Sequence, residues 1–195
     1  MIGSSAGGLG PLRRVIAQLP ADLAAAIFVI VHIPPWRHSE LPRVLSLDSA
    51  LPARHPEPGE RVQQGHIYVA PPDHHMLLDD GHIVLWRGPR ENRHRPAINA
   101  SFRTAATNYR ERSIGVILSG ALDDGVTGLW WIKHFGGVAI VQDPNDSKFP
   151  DMPCAALEHV NVDHVATAGQ IGRLIVELIR DEPANGSVPS REEHP

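Results

Sequence analysis

Three short apolar segments of this sequence each lead into a polar residue of a different chemical type. Met1-Ile2-Gly3 precedes a pair of serines, residues 27–31 precede His32, and residues 114–118 precede, after a short loop, a pair of aspartates. If the three segments are parallel strands of one sheet, their carboxyl ends bring a hydroxyl, an imidazole and a carboxylate to the same edge. These groups are a nucleophile, a general base and an orienting acid. The pattern therefore predicts a serine hydrolase.

Two serines share the glycine-rich segment 3–8, so the residues alone offer either Ser4 or Ser5 as the nucleophile. The amides that follow lie at the start of a helix, where developing negative charge is favoured, and they could form an oxyanion hole. The same segment is also a degraded form of the phosphate-binding turn of dinucleotide domains. That turn expects an acidic residue at the end of the second strand. This chain has His32 there, which favours the nucleophile.

The aspartate pair leaves a second choice open. Either Asp123 or Asp124 could orient the histidine, and the other could cap the helix that follows Gly125. The order Ser, His, Asp along the chain differs from the order in α/β-hydrolases, and their G-x-S-x-G elbow does not occur in the sequence.

The composition favours a soluble protein of the cytoplasm. The net charge is -4 without a Lys/Arg block, so we expect no nucleic-acid partner. No apolar stretch approaches the ~20 residues of a membrane span and no signal peptide is evident, so we expect no membrane insertion. Cys154 is the single cysteine, which excludes an intrachain disulfide. We expect it to pack as a small buried apolar side chain.

The histidines do not form a metal-binding pattern. His74 and His75 are adjacent, and adjacent side chains of a strand face opposite ways. No H-E-x-x-H or C-x-x-C spacing occurs. We expect neither a metal nor a cofactor.

Apolar strands alternate with amphipathic helices, which predicts an α/β fold: a doubly wound, mostly parallel sheet with helices on both faces, in three layers. We predict one domain over residues 1–180 and a disordered tail at 181–195, which has almost no apolar residues. Residues 67–70 and 82–86 look like a small antiparallel hairpin region. The other predicted strands are 27–31, 114–119 and 138–142, and the predicted helices are 11–19, 38–47, one from Pro96, 125–135, 152–159 and 169–180.

The sequence resembles the catalytic domain of CheB, the chemotaxis protein-glutamate methylesterase family. Six motifs in the family's order carry the resemblance, which covers about residues 2–180. They are Gly3-Ser4-Ser5-Ala6-Gly7-Gly8, Val31-His32-Ile33-Pro34-Pro35, Ala70-Pro71-Pro72-Asp73-His74-His75-Met76, Asn92-Arg93-His94-Arg95-Pro96, Leu118-Ser119-Gly120-Ala121-Leu122-Asp123-Asp124-Gly125, and Gln142-Asp143-Pro144 with 149–156.

The resemblance implies a catalytic triad and settles both choices. It makes Ser5 the nucleophile, His32 the base and Asp124 the orienting acid. Amides near Ala6 and Ala121 would hold the oxyanion. The residues themselves give the basic loop Arg93-His94-Arg95 two interpretations: a solvated turn before a helix, or a site that receives an acidic protein segment, since arginine can grip carboxylates bidentately.

The resemblance also implies an activity and partners. The family hydrolyses glutamate γ-methyl esters on the cytoplasmic signalling helices of methyl-accepting chemoreceptors, and many members deamidate glutamines there. The receiver domain that precedes the family's catalytic domain has no counterpart in this sequence, so we expect regulation, if any, through a separate receiver-type protein.

Four positions differ from the usual family residues: Val31 replaces Gln, Ala6 replaces Thr, Asn99 replaces Asp and Ala121 replaces Met. The two alanines flank the expected reaction site. Their small side chains leave open a serine esterase or amidase whose substrate has drifted. The very short first strand before Ser5 leaves open a catalytically weak module that binds receptor helices or nucleotides.

Overall fold

The computed structural model describes residues 1–36 and 38–181. A wholly parallel seven-stranded sheet lies at the centre, and a three-stranded antiparallel sheet lies beside it. The strands are β1 (Ile2–Ser4), β2 (Ile27–Val31), β3 (Ala53–Arg54), β4 (Glu60–Arg61), β5 (Ile67–Val69), β6 (His75–Asp79), β7 (His82–Trp86), β8 (Ile114–Ile117), β9 (Val138–Gln142) and β10 (His164–Ala166). The helices are α1 (Leu9–Ile16), α2 (Leu41–Asp48), α3 (Ile98–Tyr109), α4 (Val126–His134), α5 (Asp151–His159) and α6 (Ala168–Asp181).

The central strands β1, β2, β5, β8 and β9 are almost fully buried, because both faces of the parallel sheet are covered. Phe28 and Ile30 of β2 point into a core that includes Phe102 of α3, together with side chains of α4, α5 and the small sheet. Ile27 and Val29 of the same strand point into a second core built with α1, α2 and α6. Alternate residues of one strand therefore serve two cores, as the period of two requires. The predicted three-layer, doubly wound fold is confirmed.

The strand order is β10-β9-β8-β1-β2-β5-β3, so the chain winds outward from β1 in one direction and from β8 in the other. Ligands of doubly wound sheets bind at the carboxyl ends of strands where this direction changes. Although β1 has three residues, it pairs on both sides, with Ile2 opposite Val29 of β2 and Val116 of β8. The residue after β1 therefore lies at the switch point between two neighbouring strands.

Two details of the prediction are wrong. Residues 67–69 form β5 of the parallel sheet and not part of the hairpin, which β6 and β7 make. The three residues of β5 are all buried, as expected for a strand inside a covered sheet. Cys154 is exposed, since α5 buries Met152, Pro153 and Ala156 and turns Cys154 to the other side.

The last helix reaches Asp181, one residue into the segment predicted as a tail. The remainder of that predicted tail, 182–195, lies outside the described residues. Within residues 1–36 and 38–181, the helices are too short or too polar to cross a bilayer.

Candidate active site

Ser5 lies directly after β1, in a tight turn that leads into α1. The Gly8 amide donates to the Ser5 carbonyl at 3.1 Å, which closes the turn. Gly7 has a φ of 72°, a left-handed conformation that favours glycine. A Cβ at Gly8 would lie 1.7 Å from the Ser4 hydroxyl oxygen, so this position has no space for a side chain. The glycines therefore let the chain turn sharply enough to present the Ser5 hydroxyl above the sheet.

His32 directly follows β2, the neighbour of β1, and its ring reaches Ser5. Its Nδ1 lies 2.9 Å from Ser5 Oγ, and its Nε2 lies 2.8 Å from Asp124 Oδ2. Asp124 lies in the loop between β8, the other neighbour of β1, and α4. The structure thus brings together the hydroxyl, imidazole and carboxylate that the sequence placed at three strand ends.

The Asp124 carboxylate is almost fully buried and accepts several hydrogen bonds besides the one from His32. Oδ2 accepts from the Ile98 amide at 2.7 Å, and Oδ1 accepts from the Asn99 amide at 3.2 Å. Oδ1 also accepts from Asn92 Nδ2 at 3.2 Å. Burial by itself would raise the pKa of Asp124, but the hydrogen bonds from His32 and the two amides outweigh it and hold this pKa below its ordinary value.

An ionised Asp124 sets the tautomer of His32. A carboxylate only accepts hydrogen bonds, so His32 Nε2 carries the ring proton and donates it to Asp124. Nδ1 then has a free lone pair and accepts from the Ser5 hydroxyl. This tautomer can take the hydroxyl proton when Ser5 attacks a carbonyl carbon.

The alternative residues at these positions lie apart from the hydrogen-bonded group. Ser4 is fully buried on the other face of β1, and its Oγ is without a hydrogen-bond partner among the described residues. Asp123 is exposed, and its carbonyl accepts the Val126 amide at 3.2 Å in the first turn before α4.

The basic loop divides into residues with different surroundings. The His94 ring stacks on the His32 ring, with centroids 3.5 Å apart and planes 6° apart. Burial, followed by the nearby His32, lowers the pKa of His94. Arg95 donates from Nε to Asp73 Oδ1 at 3.0 Å and from Nη1 to the Gly88 carbonyl at 2.5 Å, so it holds the loop in place. Arg93 is exposed and forms no ion pair with any residue in 1–36 or 38–181.

Two of the amides near Ser5 are available to a ligand. Neither the Ala6 nor the Ala121 amide donates to another group in the described part of the chain, and both residues are partly exposed. The Ser5 amide is different, because it donates to the Ser119 carbonyl at 3.0 Å. Across residues 1–36 and 38–181, no cluster of three or more His, Cys, Asp or Glu side chains is arranged to hold a metal ion.

Three polar residues around the site were not singled out from the sequence for a role. Asn99 Oδ1 accepts the amides of Gly125 and Gly128 at 3.0 and 2.7 Å, and so caps α4 beside Asp124. Ser119 and Gln142 form buried hydrogen bonds behind Ser5. Ser119 and Gln142 lie in the motifs of the resemblance and Asn99 is among the positions that differ from the family, but only the folded geometry shows what they contact.

Comparison with known proteins identifies the family. The family described as CheB methylesterase matches residues 1–175. The chain belongs to the CheB methylesterase family. The solved catalytic domain of the Thermotoga maritima CheB methylesterase superimposes with a TM-score of 0.86 at 34% identity, covering 91% of this chain and 96% of that one. The predicted family and the hydrolase class are therefore confirmed.

Relatives in the family differ in length. A Leptospira interrogans protein, provisionally named protein-glutamate methylesterase/protein-glutamine glutaminase, is 36% identical over 91% of this chain and 93% of its own length. A Symbiobacterium thermophilum protein with the corresponding name is 37% identical over 81% of this chain and 44% of its own. The chain therefore spans nearly all of the first relative and less than half of the second.

Proposed function

We propose that this chain is a protein-glutamate methylesterase that hydrolyses γ-methyl esters on the cytoplasmic helices of chemoreceptors, with Ser5, His32 and Asp124 as its catalytic triad. The observation that carries the proposal is the continuous hydrogen-bonded chain from Ser5 Oγ through both His32 nitrogens to a buried Asp124, in a member of the CheB methylesterase family. The names of its relatives support the substrate class.

In the first half of the reaction, Ser5 Oγ attacks the ester carbonyl while His32 Nδ1 takes the hydroxyl proton. His32 then becomes an imidazolium between Ser5 and Asp124, and the carboxylate stabilises this charge without taking the proton. The same proton passes from Nδ1 to the departing methoxide oxygen. Methanol leaves, and the glutamyl group stays bound to Ser5 as an ester.

Water completes the reaction in the same geometry. His32 Nδ1 removes a proton from the water that attacks the glutamyl ester, and returns it to Ser5 Oγ as the free glutamate is released. A glutamine substrate follows the same steps with ammonia as the leaving group, in agreement with the second activity in the relatives' names.

The amides of Ala6 and Ala121 are our candidates for the oxyanion hole. The tetrahedral intermediate carries a negative charge on the former carbonyl oxygen, and donors aimed at that oxygen contribute a large part of the rate. Ala6 and Ala121 flank Ser5 from two different loops, and neither amide is used elsewhere in the described residues. The Ser5 amide is not a candidate, since it is bonded to Ser119.

The test is methanol release from a methylated receptor fragment, with Ser5→Ala compared with Ser4→Ala. Both variants remove one hydroxyl, from two adjacent residues, but only Ser5 contacts His32. We expect Ser5→Ala to abolish release and Ser4→Ala to keep it. Methanol release by Ser5→Ala at the unmodified protein's rate would contradict the assignment. Labelling of Ser5 by a fluorophosphonate probe, without any methanol release, would show an active serine with a different substrate.

A further inference from the structure

Ser119 lies two residues beyond β8 and is fully buried behind the Ser5 turn. It uses its amide, its carbonyl and its hydroxyl in hydrogen bonds to Gln142 of β9, to the turn after β1 and to the loop that contains Phe149. The carbonyl accepts from the Ser5 amide at 3.0 Å. The hydroxyl donates to the Ala6 carbonyl at 3.0 Å and accepts from the Phe149 amide at 3.0 Å. One residue therefore touches the backbone of the nucleophile and of the residue after it.

These bonds restrict the orientation of the peptides that follow the nucleophile. In a trans peptide the N–H and C=O bonds point in opposite directions, so fixing a carbonyl also fixes the next amide. The Gly8 amide holds the Ser5 carbonyl, which orients the Ala6 N–H. Ser119 Oγ holds the Ala6 carbonyl on the other side of the same residue. Hydrogen bonds therefore fix both the peptide group before Ala6 and the peptide group after it.

Ser119 is itself held from behind by a buried amide side chain. Its N–H donates to Gln142 Oε1 at 2.9 Å, and Gln142 is fully buried at the end of β9. Gln142 Nε2 donates to the carbonyl and to Oδ2 of Asp146, at 3.0 and 2.8 Å. A satisfied buried network of this kind is rigid, because each group would lose its partner if another moved.

The same residue also links the two loops that carry the candidate oxyanion donors. Ala6 lies in the turn after β1, and Ala121 lies two residues after Ser119 along the chain. The Gly120 amide, between Ser119 and Ala121, donates to the Phe149 carbonyl at 3.0 Å. Phe149 is in turn bonded to the Ser119 hydroxyl. The distance between the two donors therefore depends on the Ser119 hydroxyl.

We propose that Ser119 is a positioning residue, whose hydroxyl holds the Ala6 carbonyl, and with it the turn that carries Ser5 and the Ala6 amide, in the arrangement needed for the tetrahedral intermediate. This inference takes its substrate from the proposed function. The rate at which a fluorophosphonate probe labels Ser5 tests it without that substrate. Ser119 does not contact the substrate in this proposal. Loss of its hydroxyl leaves the Ala6 carbonyl and the Phe149 amide without their partner. The turn then relaxes and the oxyanion donor moves.

The test compares Ser119→Ala, Ser119→Thr and the control Ser113→Ala. Ser113 is also buried and donates through Oγ to a carbonyl, that of Ala105 at 3.1 Å, but it lies at the opposite end of β8. The readouts are the rate constant for labelling of Ser5 by a fluorophosphonate probe, kcat and KM for methanol release, and Tm. A displacement of about 1 Å at a reacting group costs on the order of 10²-fold in rate.

We expect Ser119→Ala to lower both the labelling rate and kcat by about 10²-fold with little change in KM, as for an interaction that acts in the transition state. Ser119→Thr keeps the hydroxyl and should keep most of the activity. Ser113→Ala should lower Tm by a similar amount to Ser119→Ala and leave the rates unchanged.

The proposal is overturned if Ser119→Ala labels as fast as the unmodified protein. It is also overturned if folded Ser119→Thr, or Ser113→Ala, loses as much of the labelling rate as Ser119→Ala does. The proposed function is judged separately, by whether the unmodified protein releases methanol. If it labels at Ser5 but releases none, the substrate is wrong and the ratio of labelling rates still decides the role of Ser119.

Discussion

The imidazole of His94 lies flat against the imidazole of His32, with ring centroids 3.5 Å apart. Both nitrogens of His32 are engaged in its own plane, by Ser5 on one side and Asp124 on the other. The stacked ring therefore covers a face of His32 and restricts its rotation out of that plane. A neutral His94 ring suits this position, because a positive charge on His94 would repel the imidazolium that His32 forms in the proposed reaction.

Two replacements of His94 should distinguish the effect of its stacked ring on kcat from the effect of its ring nitrogens. We expect His94→Phe to keep most of kcat, since phenylalanine offers a flat ring, and His94→Ala to lose about tenfold or more, since His32 can then leave its catalytic orientation. Steady-state methanol release by the two variants measures this. Equal losses in both variants would show that the imidazole nitrogens of His94 matter and not its stacking.

The lowered pKa of His94 also predicts a pH dependence of stability. Its folded-state pKa lies below the unfolded value of about 6.5, so below that pH the unfolded chain binds a proton that the folded chain does not. This contribution to stability is therefore present at pH 8 and is lost as the pH falls below about 6.5. Urea unfolding should show that the free energy of unfolding falls less between pH 7.5 and 5.5 in His94→Phe than in the unmodified protein. An identical pH dependence in the two proteins would contradict this.

Asp124→Asn should leave a folded protein whose kcat is lower by up to about 10⁴-fold. The amide of the new side chain would donate to His32 Nε2, which places the ring proton on Nδ1, where it can no longer accept from Ser5. Asp123→Asn is the matched control, because Asp123 is exposed and the carboxylate that binds His32 is that of Asp124. Single-turnover rates of methanol release compare the two variants. A larger loss of rate in Asp123→Asn than in Asp124→Asn would show that Asp123 is the orienting acid.

Asn99 predicts a stability effect at the helix that follows Asp124. Its Oδ1 accepts the Gly125 and Gly128 amides, which would otherwise lack partners at the start of α4. Asn99→Ala should lower the free energy of unfolding by about 1–2 kcal/mol, whereas Asn99→Asp keeps the acceptor and should cost less. Urea denaturation of both variants measures this difference. If both lower the free energy of unfolding equally, the hydrogen bonds that cap α4 do not explain the loss.

The sequence predicted most of this architecture because its signals are local. Continuous apolar runs such as 27–31 are typical of covered parallel strands, and the residue after each run could be assigned to the carboxyl edge. The misassignment of 67–69 has the same origin: the run is apolar, but its partners are β3 and β2, and β2 lies about 40 positions earlier in the chain. Pairing over that separation cannot be derived from a local pattern.

The sequence predicted which residue types meet at this edge of the sheet, but not the contacts around them. In the structure, the period of two along β1 turns Ser4 into the core, and it is Ser5 that contacts His32. Ser119 and Asn99 act through distant backbone amides and carbonyls. Backbone partners carry no signature in the sequence, so only the fold reveals such roles.

The basic loop gives a final prediction, because Arg93 and Arg95 have opposite surroundings. Arg93 is exposed and has no ion pair within the described residues, so the proposed function makes it the arginine that meets a receptor carboxylate, whereas Arg95 is held by Asp73 and by the Gly88 carbonyl. Arg93→Ala should therefore raise KM for a methylated receptor fragment, more strongly at low ionic strength, and leave the fluorophosphonate labelling rate unchanged. Arg95→Ala should slow labelling as well, because the loop that carries His94 loses its anchor.

Rates of labelling and KM values at two salt concentrations compare the two variants, and Arg93→Lys serves as the charge-preserving control. Since lysine keeps the charge but not the bidentate geometry, recovery in this control would point to charge attraction and not to a specific carboxylate grip. A labelling defect in Arg93→Ala as large as that in Arg95→Ala would contradict the division of the loop into a substrate-facing arginine and an anchoring one.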